Sequence, residues 1–306
     1  MGQVQTSLSN QTKGTTRDAI VTFLDGISQP FPPVTPFDKA FYADCYAGAV
    51  KRGWPPETVA KHLPGGVVMS STGYAHLPNR STRVLIAIYT ACGIYLDDVF
   101  KEDVEAVSVF NQRFFEHALQ GDPFLDCFAQ VLLELGDYFE RVVSNIMVTS
   151  TLNAVTALTL EYKTEGMTVQ MSPSALGYPT FSRVMSGASE AYTLFIFPRD
   201  FVLPAFVQTL QQVMIFINNG NDILSFYKED LDGESVNRIS FLTAPSGRSK
   251  QAVLRGLVEE AVVAHNNVLA ILAPYPEALS AFRAFVPGYI GFHASAKRYR
   301  LDELKL

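Results

Sequence analysis

Apolar residues recur at helical spacing along nearly the whole chain, and this periodicity restricts the fold more than any other feature. Ile20, Phe23, Leu24 and Ile27 share one helical face, whereas convincing two-residue alternation appears only over residues 166–171. Breakers divide the pattern. Pro30, Pro32, Pro33 and Pro36 forbid a helix, and Asp38 can cap a second one bearing Phe41, Tyr42 and Tyr46. Pro55-Pro56 opens a third helix where proline is tolerated, and Pro64-Gly65-Gly66 is expected to end it. Ser81 reads as the cap of a helix running to about Phe100, apolar on nearly every side as an internal helix is. Further helices are expected over 103–119, 124–137, 138–162, 175–196, 201–230, 248–272 and 276–304, with Gly121-Asp122-Pro123 and Pro198 as breakers. No repeat or linker marks a second domain. The expectation is an all-α bundle forming a single domain over residues 15–306, behind a polar, disordered tail over residues 1–14.

The 306 residues are 48% hydrophobic and 18% charged, a balance that argues against extended disorder. Lys+Arg minus Asp+Glu, 24 − 30, gives −6 with no basic run, which excludes the electrostatic footprint of a nucleic-acid binder. An anionic ligand would have to be met by local arginines or by metal ions. Cys45, Cys92 and Cys127 are far apart and lack zinc-site spacing, so they read as reduced, buried thiols. No basic-then-apolar leader opens the chain. The most apolar stretch, residues 84–96, is shorter than the ~18–20 residues that span a bilayer. A cytoplasmic protein without stable membrane insertion is expected, as monomer or homodimer. Met1 to Thr6 fits the loose pattern for myristoylation of Gly2, but no polybasic patch follows, and a plain polar tail fits as well.

Two short segments carry chemistry. In Asn221-Asp222-Ile223-Leu224-Ser225-Phe226-Tyr227-Lys228-Glu229, the residues Asn221, Ser225 and Glu229 are spaced i, i+4, i+8. On a helix they drift only ~80° in total and face one way. An amide oxygen, a hydroxyl and a carboxylate make a hard, all-oxygen site suited to Mg²⁺. A polar triplet straight after the apolar run Val213 to Ile217 needs a reason, because unpaired buried polar groups are costly. The second segment, Asp97-Asp98-Val99-Phe100-Lys101-Glu102-Asp103, ends the other very apolar helix. Adjacent carboxylates repel unless a cation lies between them. By itself such a cluster reads as an ordinary solvated helix end. Likewise, Arg183 alone reads as a surface charge, and Arg298-Tyr299 as part of an amphipathic C-terminal helix.

Four stretches together resemble class I terpene synthases, in particular the fungal trichodiene synthase family. They are Leu96-Asp97-Asp98, the run from Tyr178-Pro179 through Phe181, Arg183, Met185 and Gly187, the nonapeptide from Asn221 to Glu229, and Gly288-Tyr289 with Arg298-Tyr299-Arg300-Leu301. The resemblance covers residue 80 to the C-terminus and is weak before that. It implies an all-α bundle around a central apolar active-site cavity. It also implies three Mg²⁺ ions, with Mn²⁺ as a substitute, holding the diphosphate of a linear prenyl substrate. Asp97, with Glu102 assisting, would hold two ions, and Asn221, Ser225 and Glu229 the third. Arg183, Lys228, Arg298 and Tyr299 would donate to the diphosphate, with Arg183 as its sensor, and a kink near Ser186-Gly187 would place a carbonyl by the developing cation. The implied reaction converts farnesyl diphosphate to a sesquiterpene hydrocarbon or alcohol. The alternative is an acyclic linalool- or nerolidol-type alcohol made from geranyl or farnesyl diphosphate, a reading encouraged by Gly93 and Asn218 one turn before the two motifs. A chain-elongating prenyltransferase and a non-catalytic helical binding protein are remoter readings. The third acidic position of the first motif is displaced: Lys101 stands there and Glu102 follows. This leaves the roles of Asp98 and Glu102 open and predicts an Asp97–Lys101 ion pair in the metal-free protein.

Overall fold

The computed structural model describes residues 2–100, 103–164, 172, 174, 175, 177–233 and 238–306, with the side chains of residues 2–11, 99 and 244–246 left out. Among these residues every regular element is a helix. They are α1 (Gly2–Gly26), α2 (Lys39–Lys51), α3 (Pro56–Thr72), α4 (Arg80–Val99), α5 (Val104–Ser108), α6 (Phe110–Phe115), α7 (Pro123–Tyr138), α8 (Arg141–Thr164), α9 (Tyr178–Ser186), α10 (Ser189–Leu194), α11 (Leu210–Leu231), α12 (Arg238–Ser246), α13 (Lys250–Leu272) and α14 (Pro276–Ser295). The alternating stretch at 166–171 lies outside the described residues.

Packed neighbours close a ring: α4 on α3, α3 on α14, α14 on α13, α13 on α11, α11 on α10, α10 on α8, α8 on α7, and α7 back on α4. Residues 85–89 of α4 are buried one after another, so this helix is covered on all sides. Leu85, Ile86 and Ile88 each contribute about 1.5–3 kcal/mol of burial. A run of aromatic contacts crosses the interior, from Tyr89 through Phe195, Tyr74 and Phe285 to Tyr289, with ring centroids 5.1–5.9 Å apart. Helix α8 is long and apolar enough, by length and composition, to cross a membrane, and 44% of its most apolar window is buried within the bundle.

Several expected boundaries shift, for local reasons. Asn79, not Ser81, caps α4; its Oδ1 accepts from the Ser81 and Thr82 amides at 2.9 and 3.1 Å. Helix α3 does not stop at Pro64-Gly65-Gly66 but continues to Thr72. Here glycine serves close packing: a Cβ on Gly66 would stand 1.9 Å from the Ala87 carbonyl oxygen of α4, and one on Gly288 of α14 would stand 2.1 Å from that of Thr72. The stretch 103–119 divides into α5 and α6, and 175–196 divides after Ser186. Two 3₁₀ turns precede α11, and two more, Lys297–Tyr299 and Leu301–Leu304, replace the expected end of the C-terminal helix. Helix α1 begins at Gly2, where the sequence suggests a first helix from Thr16.

Candidate active site

Asn221, Ser225 and Glu229 lie along α11 as their spacing requires. The Ser225 hydroxyl donates to Glu229 Oε1 at 2.5 Å, so two of the three oxygens already meet. Asp97 ends α4. The turn after α14 ties these two places together with consecutive residues: Arg298 Nη2 donates to Asp97 Oδ2 at 3.3 Å, and Tyr299 hydrogen-bonds with the Asn221 side chain. Asp97 therefore pairs with Arg298 from across the site. Lys101, its expected partner, and Glu102 both lie outside the described residues.

Arg183, on the last turn of α9, reaches the same motif. Its Nε donates to Asp222 Oδ1 at 2.7 Å and its Nη2 to Asn221 Oδ1 at 3.0 Å. Burial works against the charged guanidinium, but Asp222 outweighs it by charge and hydrogen bond and leaves Arg183 above its ordinary pKa. Arg298 behaves alike: burial opposes its charge, while Tyr299 and Asp97 raise it. Burial pushes the Tyr299 hydroxyl up, with Arg298 and Asn221 pulling the other way. Lys228 is partly exposed beside Glu229 on α11. Asp98 turns away from Asp97 toward α3, with its Oδ2 3.5 Å from His62 Nδ1.

The kink expected at Ser186-Gly187 is present, but the left-handed residue is Ala188, at φ 44°; Gly187 has φ −80°. Gly187 is needed for space, since a Cβ there would lie 2.6 Å from Asn218 Oδ1 and 2.8 Å from Arg183 Nη1. Asn218 is buried; its Nδ2 donates to Ser189, while its Oδ1 has no partner.

Sequence reasoning missed three supporting residues. Asp222 is clamped on its other oxygen by Arg238 at 3.1 Å, and Arg238 also donates to Asn219 at 2.5 Å. Asn219 in turn donates to the Leu257 carbonyl and to Glu260 of α13. Asp222 had a weak signal, since it lies one residue round the helix from Asn221 and so faces α9 and α12. Arg238 had none, because its partners are set by how α12 docks. His293, the third, is buried on α14 with its ring 4.6 Å from that of Tyr299, and a single histidine on an apolar helix reads as core.

No cluster of three His, Cys, Asp or Glu side chains suited to a metal occurs among the described residues. The oxygen set of Asn221, Ser225 and Glu229 fits Mg²⁺ by its chemistry, because a hard cation takes amide, hydroxyl and carboxylate oxygens and keeps waters for the rest. A closed helical ring, with an acidic helix end linked by one turn to an amide–hydroxyl–carboxylate triplet, defines a class I terpenoid synthase fold. Solved structures agree. Linalool/nerolidol synthase from Streptomyces clavuligerus, in complex with 2-fluorogeranyl diphosphate, superposes with a TM-score of 0.65 at 12% identity, covering 86% of this chain and 99% of that one. 2-Methylisoborneol synthase from Streptomyces coelicolor A3(2), in complex with Mg²⁺ and 2-fluoroneryl diphosphate, gives a TM-score of 0.58 at 14% identity, covering 87% and 94%.

The chain belongs to the trichodiene synthase (TRI5) family, whose profile matches residues 50–305, and it is a terpene synthase, a lyase. It is 35% identical to alpha-cuprenene synthase COP6 of Coprinopsis cinerea over 97% of this chain and 92% of that protein. It is 35% identical to terpene synthase 29 of Postia placenta over 95% and 84%, and 31% identical to monoterpene synthase 25 of the same organism over 94% and 86%. The chain-elongating and non-catalytic readings give way to this membership.

Proposed function

We propose that the chain is a Mg²⁺-dependent sesquiterpene synthase that ionises farnesyl diphosphate. The observation that carries this reading is the convergence of Arg183, Arg298 and Tyr299, from α9 and the C-terminal turn, on the two oxygen-bearing motifs. Asp97, together with Asn221, Ser225 and Glu229, would hold Mg²⁺, three ions by the family resemblance; Glu102 enters on that resemblance alone. Bound there, Mg²⁺ supplies positive charge that stabilises the departing diphosphate. The chain's own groups do the rest. Arg183 and Arg298 offer forked donors that match phosphate geometry, Tyr299 adds a hydroxyl, and Lys228 adds a charge at the rim. The allylic C–O bond breaks, its electron pair leaves with the diphosphate, and the cation stays in the ring interior. The aromatic faces of Tyr89, Phe195, Tyr74 and Phe285 would stabilise that charge, and the closed interior keeps water away until rearrangement is over.

A specific observation supports a second reading, in which an alcohol is formed by water capture. The buried Asn218 Oδ1 without a partner lies beside Gly187 and could hold one water. The similarity to a protein named as a monoterpene synthase keeps geranyl diphosphate open as the substrate for that outcome. One experiment separates these readings: incubation with geranyl, farnesyl and geranylgeranyl diphosphates plus Mg²⁺, and gas chromatography–mass spectrometry of the volatiles. A sesquiterpene from farnesyl diphosphate is the expected result. Turnover of geranyl diphosphate alone to linalool would replace it by the second reading, and full turnover after exhaustive chelation would refute the metal dependence.

A further inference from the structure

Besides Tyr299, whose hydroxyl can donate or accept, Asn221 sits between two partners whose hydrogen positions are fixed by chemistry. His293 Nδ1 lies 2.9 Å from the Tyr289 carbonyl oxygen, which can only accept, so Nδ1 carries the hydrogen. The ring is 1% exposed. With its hydrogen on Nδ1 and the donor-only Arg183 on the far side of the Asn221 amide, the ring meets Asn221 through Nε2 as an acceptor. That Nε2 is 3.2 Å from the Asn221 amide nitrogen, which must therefore donate. On the other side Arg183 Nη2, which can only donate, is 3.0 Å from Asn221 Oδ1. A flipped amide would set oxygen against a bare imidazole nitrogen and NH₂ against a guanidinium. Only one orientation is allowed, and it turns the oxygen away from α14.

We propose that His293 is a positioning residue that fixes the amide of Asn221 so that its oxygen, and never its nitrogen, is presented to the divalent cation. This deepens the reading of Asn221 as a metal ligand and rests on it. The chain of causes is short. The Tyr289 hydroxyl donates to the Ile217 carbonyl of α11 at 2.7 Å, which pins α14 against α11. The Tyr289 carbonyl then sets the imidazole tautomer, and the tautomer sets the amide. Partners that orient a metal ligand in this way typically contribute about 10–100-fold to metal affinity.

The test is Mn²⁺ binding to the full chain, with and without inorganic diphosphate, read as free Mn²⁺ by electron paramagnetic resonance, with circular dichroism and thermal midpoints as folding controls. His293→Phe keeps the ring and loses the acceptor; His293→Gln keeps a carbonyl that can take the same hydrogen. The expected result is roughly 10–100-fold weaker Mn²⁺ binding for His293→Phe and recovery of most of that loss in His293→Gln. Asn221→Leu is measured alongside. If Asn221→Leu weakens binding and His293→Phe does not, the positioning role is overturned while the metal reading stands. Equal weakening in both His293 variants would overturn it too, since packing alone would then explain the loss. Unchanged binding in Asn221→Leu would refute the metal reading itself, and the inference with it.

Discussion

At the scale of single residues, the site is held by charges that satisfy one another before any ligand arrives. Asp222 accepts from Arg183 on one oxygen and Arg238 on the other, and all three side chains are largely buried. Removing the carboxylate leaves two guanidinium groups facing each other, with only Glu260, 4.0 Å from Arg238, as a remaining carboxylate partner. Asp222→Ala should therefore lose about 3–5 kcal/mol of stability by urea unfolding; a loss under about 1 kcal/mol would mean that water compensates both arginines. A pH dependence follows from the histidines. Burial lowers the pKa values of His62, His76, His265 and His293, the last from 6.5 to about 4. The unfolded chain then binds protons that the native protein refuses, so stability is fully present above about pH 6.5 and falls as pH drops toward 4. At about 1.4 kcal/mol per unit, His293 alone accounts for ~3 kcal/mol. Thermal unfolding without metal should show this slope, and His293→Gln should flatten it. That Asn221, Ser225 and Glu229 share one face was legible in the sequence because one helix period places them there, whereas Asp97 was singled out only through the family resemblance, since its acidic cluster alone reads as a solvated helix end. Asp222, Arg238 and His293 were not legible, because each acts through a partner from another helix.

At the scale of elements, glycines do two different jobs, and the same substitution separates them. At Gly66 a new methyl group would strike the backbone of α4, which cannot move without opening the α3–α4 pair. At Gly187 it would chiefly meet the side-chain tips of Asn218 and Arg183, which move more easily than backbone, with the Arg183 carbonyl oxygen at 3.0 Å as the tightest backbone contact. Gly66→Ala should lower the thermal midpoint sharply. Gly187→Ala should keep the fold and cost up to ~10²-fold in turnover, the scale of a 1 Å misplacement near the chemistry. Normal turnover in Gly187→Ala would show that Arg183 does not need its present place. These glycines also explain which boundaries could be read. Pro123 and Pro56 start helices, where the missing N–H has no partner to lose, and those starts were legible. Pro64 and Pro287 lie inside helices, because close packing of α3 with α4 and α14 outweighs the lost hydrogen bonds. A chain read alone does not show that packing.

At the scale of the whole molecule, the ring of helices brings residues 97, 183, 221 and 298 to one place, and the C-terminal turn touches both motifs. Arg298 and Tyr299 are adjacent, so a ligand that draws one draws the other. Diphosphate should take Arg183 from Asn221 and Arg298 from Asp97, freeing both oxygens for metal while closing the mouth. Arg298→Ala should then slow ionisation and raise the share of prematurely quenched products, because the site shuts poorly; an unchanged rate and product spectrum would reduce this turn to a helix surface. The most direct measurement is a crystal structure with Mg²⁺ and inorganic diphosphate. The predicted result is diphosphate between α4 and α11, bonded to Arg183, Arg298 and Tyr299, with metal on Asp97 and on Asn221, Ser225 and Glu229. Diphosphate bound elsewhere, or bound here with the Arg183–Asn221 and Arg298–Asp97 contacts unbroken and no metal on these oxygens, would contradict it.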